Sequence, residues 1–117
     1  MTLDLFGGIP VRDFAEAEPW YARLFGEEPS FRAHATESVW ELAENRFLYV
    51  VEDPERAGRA IHTIFVEDLD ARVGSIIARG IEPADRETYS NGVRKVTFRD
   101  ADGNEVGFGG APVAEPE

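Results

Sequence analysis

Val11-Arg12-Asp13-Phe14 recurs as Val66-Glu67-Asp68-Leu69, 55 residues further along a chain of 117. Each copy closes a β-like run and opens a helical pattern. Gly26 and Gly80, 54 residues apart, stand where the two helices should stop. A strand–helix unit used twice in so short a chain implies two copies of one small module. Neither copy could bury much apolar surface alone, but together they could enclose a cavity. The length fits one domain, residues 1–117, with modules at about 3–52 and 60–109, a connection at 52–58 and a tail at 110–117.

The same order of elements is expected in each half. Leu3 to Val11 reads as a strand, weakened by Gly7 and Gly8 and lacking a ladder donor at Pro10. Asp13 and Glu16 have the spacing of a capping box, and Phe14, Ala17, Tyr21, Leu24 and Phe25 then share one helical face. Pro19 conflicts with an unbroken helix: either the helix kinks there or it begins near Ala17. Three β-like runs follow, about Pro29 to Ala35, Ser38 to Leu42 and Arg46 to Val51, with Glu44-Asn45 as a hairpin turn. The second half repeats this with a strand at Ala60 to Val66 and a helix capped by Asp68 that carries Leu69, Val73, Ile76 and Ile77. Strands are expected near Pro83 to Glu87, Val93 to Arg99 and Glu105 to Phe108, the last two joined by the turn-forming run Asp100 to Asn104.

Composition excludes several function classes. A net charge of −11 would repel nucleic acid and anionic lipid, and it tolerates cationic ligands. No apolar run approaches the ~20 residues of a membrane span, and the first residues lack the pattern of a signal peptide. With no cysteine there is no disulfide, thiolate nucleophile or thiolate metal site. A cytoplasmic protein is expected. Gly7-Gly8 and Gly109-Gly110 lack the spacing of phosphate loops, and Ser38, Ser75 and Ser90 lack a nucleophile-elbow context.

The β–α–β–β–β order, the Val-x-Asp that opens each helix, Phe25-Gly26, Ala78-Arg79-Gly80 and the run Phe98-Arg99-Asp100-Ala101-Asp102-Gly103-Asn104 together carry a resemblance. The chain resembles the vicinal oxygen chelate superfamily over about residues 3 to 109. That family includes glyoxalase I, bleomycin resistance proteins, fosfomycin resistance enzymes and extradiol dioxygenases. The resemblance implies an α+β fold in which two βαβββ modules form a curved mixed sheet around a cleft, with helices outside. It also implies a homodimer. Metal-dependent members place ligands, usually His or Glu, on the first, fourth, fifth and eighth strands. Those positions carry over to Phe6, Tyr49, Ile61 and Gly107. These residues offer at most one phenolate, so no metal, no cofactor and no catalytic residue are expected.

Alternation along the strands suggests what the cleft holds. Ile61, Thr63 and Phe65 should face it, while His62, Ile64 and Val66 face the helix, with His62 packed at a sheet–helix boundary. Glu41 and Glu105 are expected out of phase with the metal positions. A two-residue turn at Glu44-Asn45 would place Trp40 opposite Tyr49 and Leu42 opposite Phe47. Phe98 should lie near Gly107, with Val96 and Arg94 behind it. The expected ligand-binding set is Phe6, Trp40, Phe47, Tyr49, Thr63, Phe65, Arg94, Phe98 and Gly107. An aromatic stripe is equally well a plain core, and Arg94 is equally well a rim arginine bonded to a surface carboxylate rather than to a ligand anion.

The function expected is metal-independent binding of a planar or aromatic, including cationic, small molecule, such as sequestration of a drug or metabolite. One alternative is a lyase, isomerase or dioxygenase-like enzyme of the same superfamily. Another is a structural or interaction protein whose cleft is packed core.

Overall fold

The computed structural model describes residues 2–113. The expected C-terminal tail at 110–117 begins inside the last strand, and its residues 114–117 lie outside the described ones. The first module comprises β1 (Leu5–Val11), α1 (Phe14–Phe25), β2 (Phe31–His34), β3 (Glu37–Ala43) and β4 (Arg46–Glu52). The second comprises β5 (Ile61–Phe65), α2 (Leu69–Ala78), β6 (Asp85–Thr88), β7 (Arg94–Arg99) and β8 (Glu105–Gly110). The fold is therefore α+β and twofold repeated, as the sequence implies. Its strands form two four-stranded mixed sheets, ordered β1-β4-β3-β2 and β5-β8-β7-β6. In each, the strand before the helix pairs in parallel with the last strand of the module and leaves its other edge unpaired.

Local chemistry explains the helices. The Asp13 carboxylate accepts from the Glu16 amide at 3.2 Å, which caps α1. Gly26 ends it at φ 78°, with the amides of Gly26 and Glu27 both donating to the Ala22 carbonyl. The helix starts at Phe14, not Ala17, so Pro19 lies inside it. The Ala15 carbonyl that loses its donor belongs to an exposed residue, where water can reach it. Asp68 occupies the matching cap position of α2 but makes no side-chain capping bond.

A single apolar core runs through both modules. Ile9, Val11, Trp40, Leu48 and Val50 on one face of the first sheet pack with Tyr21, Leu24 and Phe25 of α1. Val96, Phe98, Val106 and Phe108 pack with Leu69, Val73 and Ile76 of α2. Asn104, fully buried, ties the modules together. Its Oδ1 accepts from the amides of Gly58 and Ala60, and its Nδ2 donates to the Pro10 carbonyl and to Asp100. Among the described residues no helix is long and apolar enough to cross a membrane.

Candidate functional site

Burial and register assign each strand residue to a face. In β4, Leu48 and Val50 are buried toward α1, so Phe47, Tyr49 and Val51 point the other way. The parallel register places Phe6 beside Phe47 and Gly8 beside Tyr49 on that outer face. The Phe6 and Phe47 rings stack with centroids 4.3 Å apart and planes 5° from parallel. A Cβ at Gly8 would lie 2.7 Å from the Tyr49 ring, so glycine lets that ring lie flat on the strand. In the second module Ile61, Thr63 and Phe65 share the outer face with Glu105, Gly107 and Gly109. A Cβ at Gly107 would meet the Lys95 Cε at 2.6 Å, so the lysine stem occupies the space that this glycine leaves.

Three of the expected ligand contacts are elsewhere. Trp40 pairs with Leu48 and lies fully buried under α1, where it touches Tyr21 and Phe25 and its indole donates to the Glu27 carbonyl at 3.0 Å. The two-residue turn is present, since Ala43 pairs with Arg46, but a bulge at Leu42 makes Glu41 the partner of Phe47. That one extra residue turns Trp40 inward and Glu41 outward. Phe98 pairs with Val106, not Gly107, and packs edge-on against Phe108 in the core at 6.0 Å. The five-residue turn from Asp100 to Asn104 closes with Arg99 opposite Glu105 and shifts that hairpin by one position. Arg94 follows the same shift to the helix face, where it pairs with Asp70 of α2 at 2.9 Å. Glu105 proves to be in phase with Gly107 and pairs with Arg99 at 3.5 Å.

The positions implied for metal ligands do come to one face of their sheets, but as Phe6, Tyr49, Ile61 and Gly107 with Lys95 across the last. An ammonium there opposes a cation. Among the described residues no group of three or more His, Cys, Asp or Glu could hold a metal ion. The residues present do not fit a divalent ion.

Between the modules runs a groove of about 960 Å³. Leu5 and Gly7 of β1 line one side and His62 to Phe65 of β5 the other, so it follows the gap between the two unpaired edges. Phe25, Leu48 and Phe108 form its apolar depth, while Phe47, Thr63 and Phe65 enter from the outer faces. The groove thus gathers Phe47, Thr63 and Phe65 of the expected set, with Phe6 stacked behind Phe47. Tyr49 and Gly107 share the outer faces but are not among its lining residues. His62 does point to the helix side, yet it lines the groove, because the groove is open to both sides of the sheets. The expected packing of His62 at a sheet–helix boundary leaves this out, because alternation gives a side chain's face, not the gap between two modules.

A family profile described as the Glyoxalase/Bleomycin resistance protein/Dioxygenase superfamily matches residues 2–108. The chain belongs to this superfamily. A solved structure described as a glyoxalase/bleomycin resistance protein from Catenulispora acidiphila DSM 44928 is similar at 54% identity. The alignment covers 95% of this chain and 100% of that one, with a TM-score of 0.91. Two more distant solved structures share the fold. A bleomycin-binding protein complexed with bleomycin has 21% identity and a TM-score of 0.75 over 93% of this chain and 98% of that one. A lactoylglutathione lyase from Agrobacterium tumefaciens has 19% identity and a TM-score of 0.73 over 94% of each. A comparison with curated proteins gives no match.

Proposed function

We propose that this superfamily member is a small-molecule-binding protein that captures a planar or aromatic compound in the groove between its modules and releases it unchanged, without a metal ion. The observation that carries this reading is the groove itself. Its volume is that of a small-molecule site, and its walls combine aromatic and aliphatic side chains with His62, Thr63 and charged residues of both signs. The lack of a donor set at Phe6, Tyr49, Ile61 and Gly107 argues for capture rather than for Lewis-acid chemistry. The bleomycin complex of a distant relative supports the same class of function. The net charge of −11 favours cationic over anionic aromatics, and a cysteine-free chain suits the cytoplasm.

The working form in this reading is a homodimer. Leu5, Phe6, Ile61 and Phe65 are 71, 48, 68 and 63% exposed on strands that border the groove. Exposed apolar side chains on unpaired sheet edges are what a second copy would cover.

Calorimetric titration with bleomycin and with uncharged planar aromatics, each with and without a chelator, tests the proposal. Saturable binding that survives chelation and weakens about tenfold on Phe47→Ala is expected. Binding that disappears with the chelator, or that ignores Phe47, would overturn it.

A further inference from the structure

His62 stands out among the groove residues. Its Nε2 lies 2.9 Å from the Gly8 carbonyl oxygen across the gap between modules. A carbonyl only accepts, so this ring nitrogen carries the proton. A neutral imidazole has one N–H, and Nδ1 is then left with a lone pair. No protein group in the described residues bonds Nδ1. Nδ1 is not among the enclosed unpartnered side-chain atoms of these residues, where Nε of Arg94 stands alone; Nδ1 lies 3.2 Å from where a Gly7 Cβ would stand, at the border of the groove that His62 lines.

The ring is also held in place. A Cβ at Gly7 would lie 2.8 Å from the His62 Cε1 and 2.9 Å from a Leu48 methyl. The imidazole therefore lies against bare backbone, pinned at Nε2 by Gly8. The remaining charges along the groove are of both signs, Glu27, Glu67 and Asp68 against Arg46 and Arg72. They do not select strongly for one ionic class.

Resting on the small-molecule reading above, we infer that His62 is the specificity-determining residue of the groove, presenting Nδ1 as a fixed acceptor to a planar aromatic ligand that carries a hydroxyl or N–H donor. The apolar walls take the rings, and the imidazole distinguishes a ring with a donor from one without.

Two probes that differ by one donor test this: 2-naphthol and 2-methoxynaphthalene, both titrated at pH 8. Wild-type protein should bind 2-naphthol about five- to tenfold more tightly, the value of one hydrogen bond. His62→Lys retains an N–H donor for Gly8 and carries no acceptor atom. It should keep the melting temperature and the affinity for 2-methoxynaphthalene but lose the preference for 2-naphthol. In the wild type, long-range proton–nitrogen correlation spectra should show Nδ1 as an unprotonated ring nitrogen whose shift moves on addition of 2-naphthol and not of the ether. If both probes bind, weaken on Phe47→Ala, and show no preference, or a preference that survives His62→Lys, the inference fails while the capture reading stands. A protonated Nδ1, or one that ignores 2-naphthol, also overturns it, whether or not the variant folds. If neither probe binds, or Phe47→Ala changes neither affinity, the capture reading fails and the inference with it.

Discussion

Asn104 holds three separate parts of the chain with one side chain, which makes it the residue on which the modules' union most depends. Removing it in Asn104→Ala would leave the half-buried amides of Gly58 and Ala60 and the carbonyl of Pro10 without their partner. Each such group costs roughly 1–3 kcal/mol. Urea denaturation should show a loss of about 3 kcal/mol or more. Tyr21 acts beside it, donating to Asp100 at 2.6 Å from a fully buried position. Burial first, and then the charges of Asp100 and Asp102, push its phenol above the ordinary value of 10.0. The protonated phenol is thus favoured in the folded state. Its contribution is complete below about pH 10 and falls as pH rises beyond, because the unfolded chain sheds the proton first. Tyr21→Phe should cost about 2 kcal/mol at pH 8. The difference between wild type and variant should shrink when the denaturation series is carried above pH 10.

At the scale of the element, one bulge decides what the first sheet shows to a ligand. The hairpin turn at Glu44-Asn45 was legible in the sequence because Asn tolerates a positive φ, and Asn45 does adopt φ 64°. The bulge at Leu42 was not, because Glu41-Leu42-Ala43 carries no glycine and no broken alternation to announce an extra residue. Counting from the turn therefore put Trp40 on the wrong face. The turn after Phe98 hid a shift in the same way, since Asp100 to Asn104 is rich in turn formers but does not state how many residues lie outside the ladder. Strands without such irregularities, β1, β4 and β5, were read on the correct faces, and so were both helices. Deleting Leu42 should remove the bulge and leave Glu41 opposite Phe47 and Trp40 opposite Leu48, still beneath α1. In a Trp20→Phe background the indole emission should keep the blue position of a buried ring, and a red shift would show that the bulge itself holds Trp40 inward.

At the scale of the whole molecule, the repeat told that a cavity could exist between two modules but not along which edge it would open. That depends on how two separate sheets are set against one another, and no strand pattern encodes it locally. The proposed dimer belongs to this scale. Sedimentation at micromolar concentration should give a species of twice the chain mass, and Phe65→Asp with Ile61→Asp should shift it to the monomer while leaving the fold intact. A wild-type protein that sediments as a monomer would overturn the dimer. The Asn104 junction also has a consequence for biosynthesis. Its partners are residues 10, 58, 60 and 100, so the carbonyl at Pro10 waits for a residue made 94 positions later. On the ribosome the N-terminal half can assemble its own sheet early, as amino-terminal units generally do. It must then wait through the synthesis of the whole second module as an unlatched half, with its apolar border open to chaperones, or to the matching half of a neighbouring nascent chain.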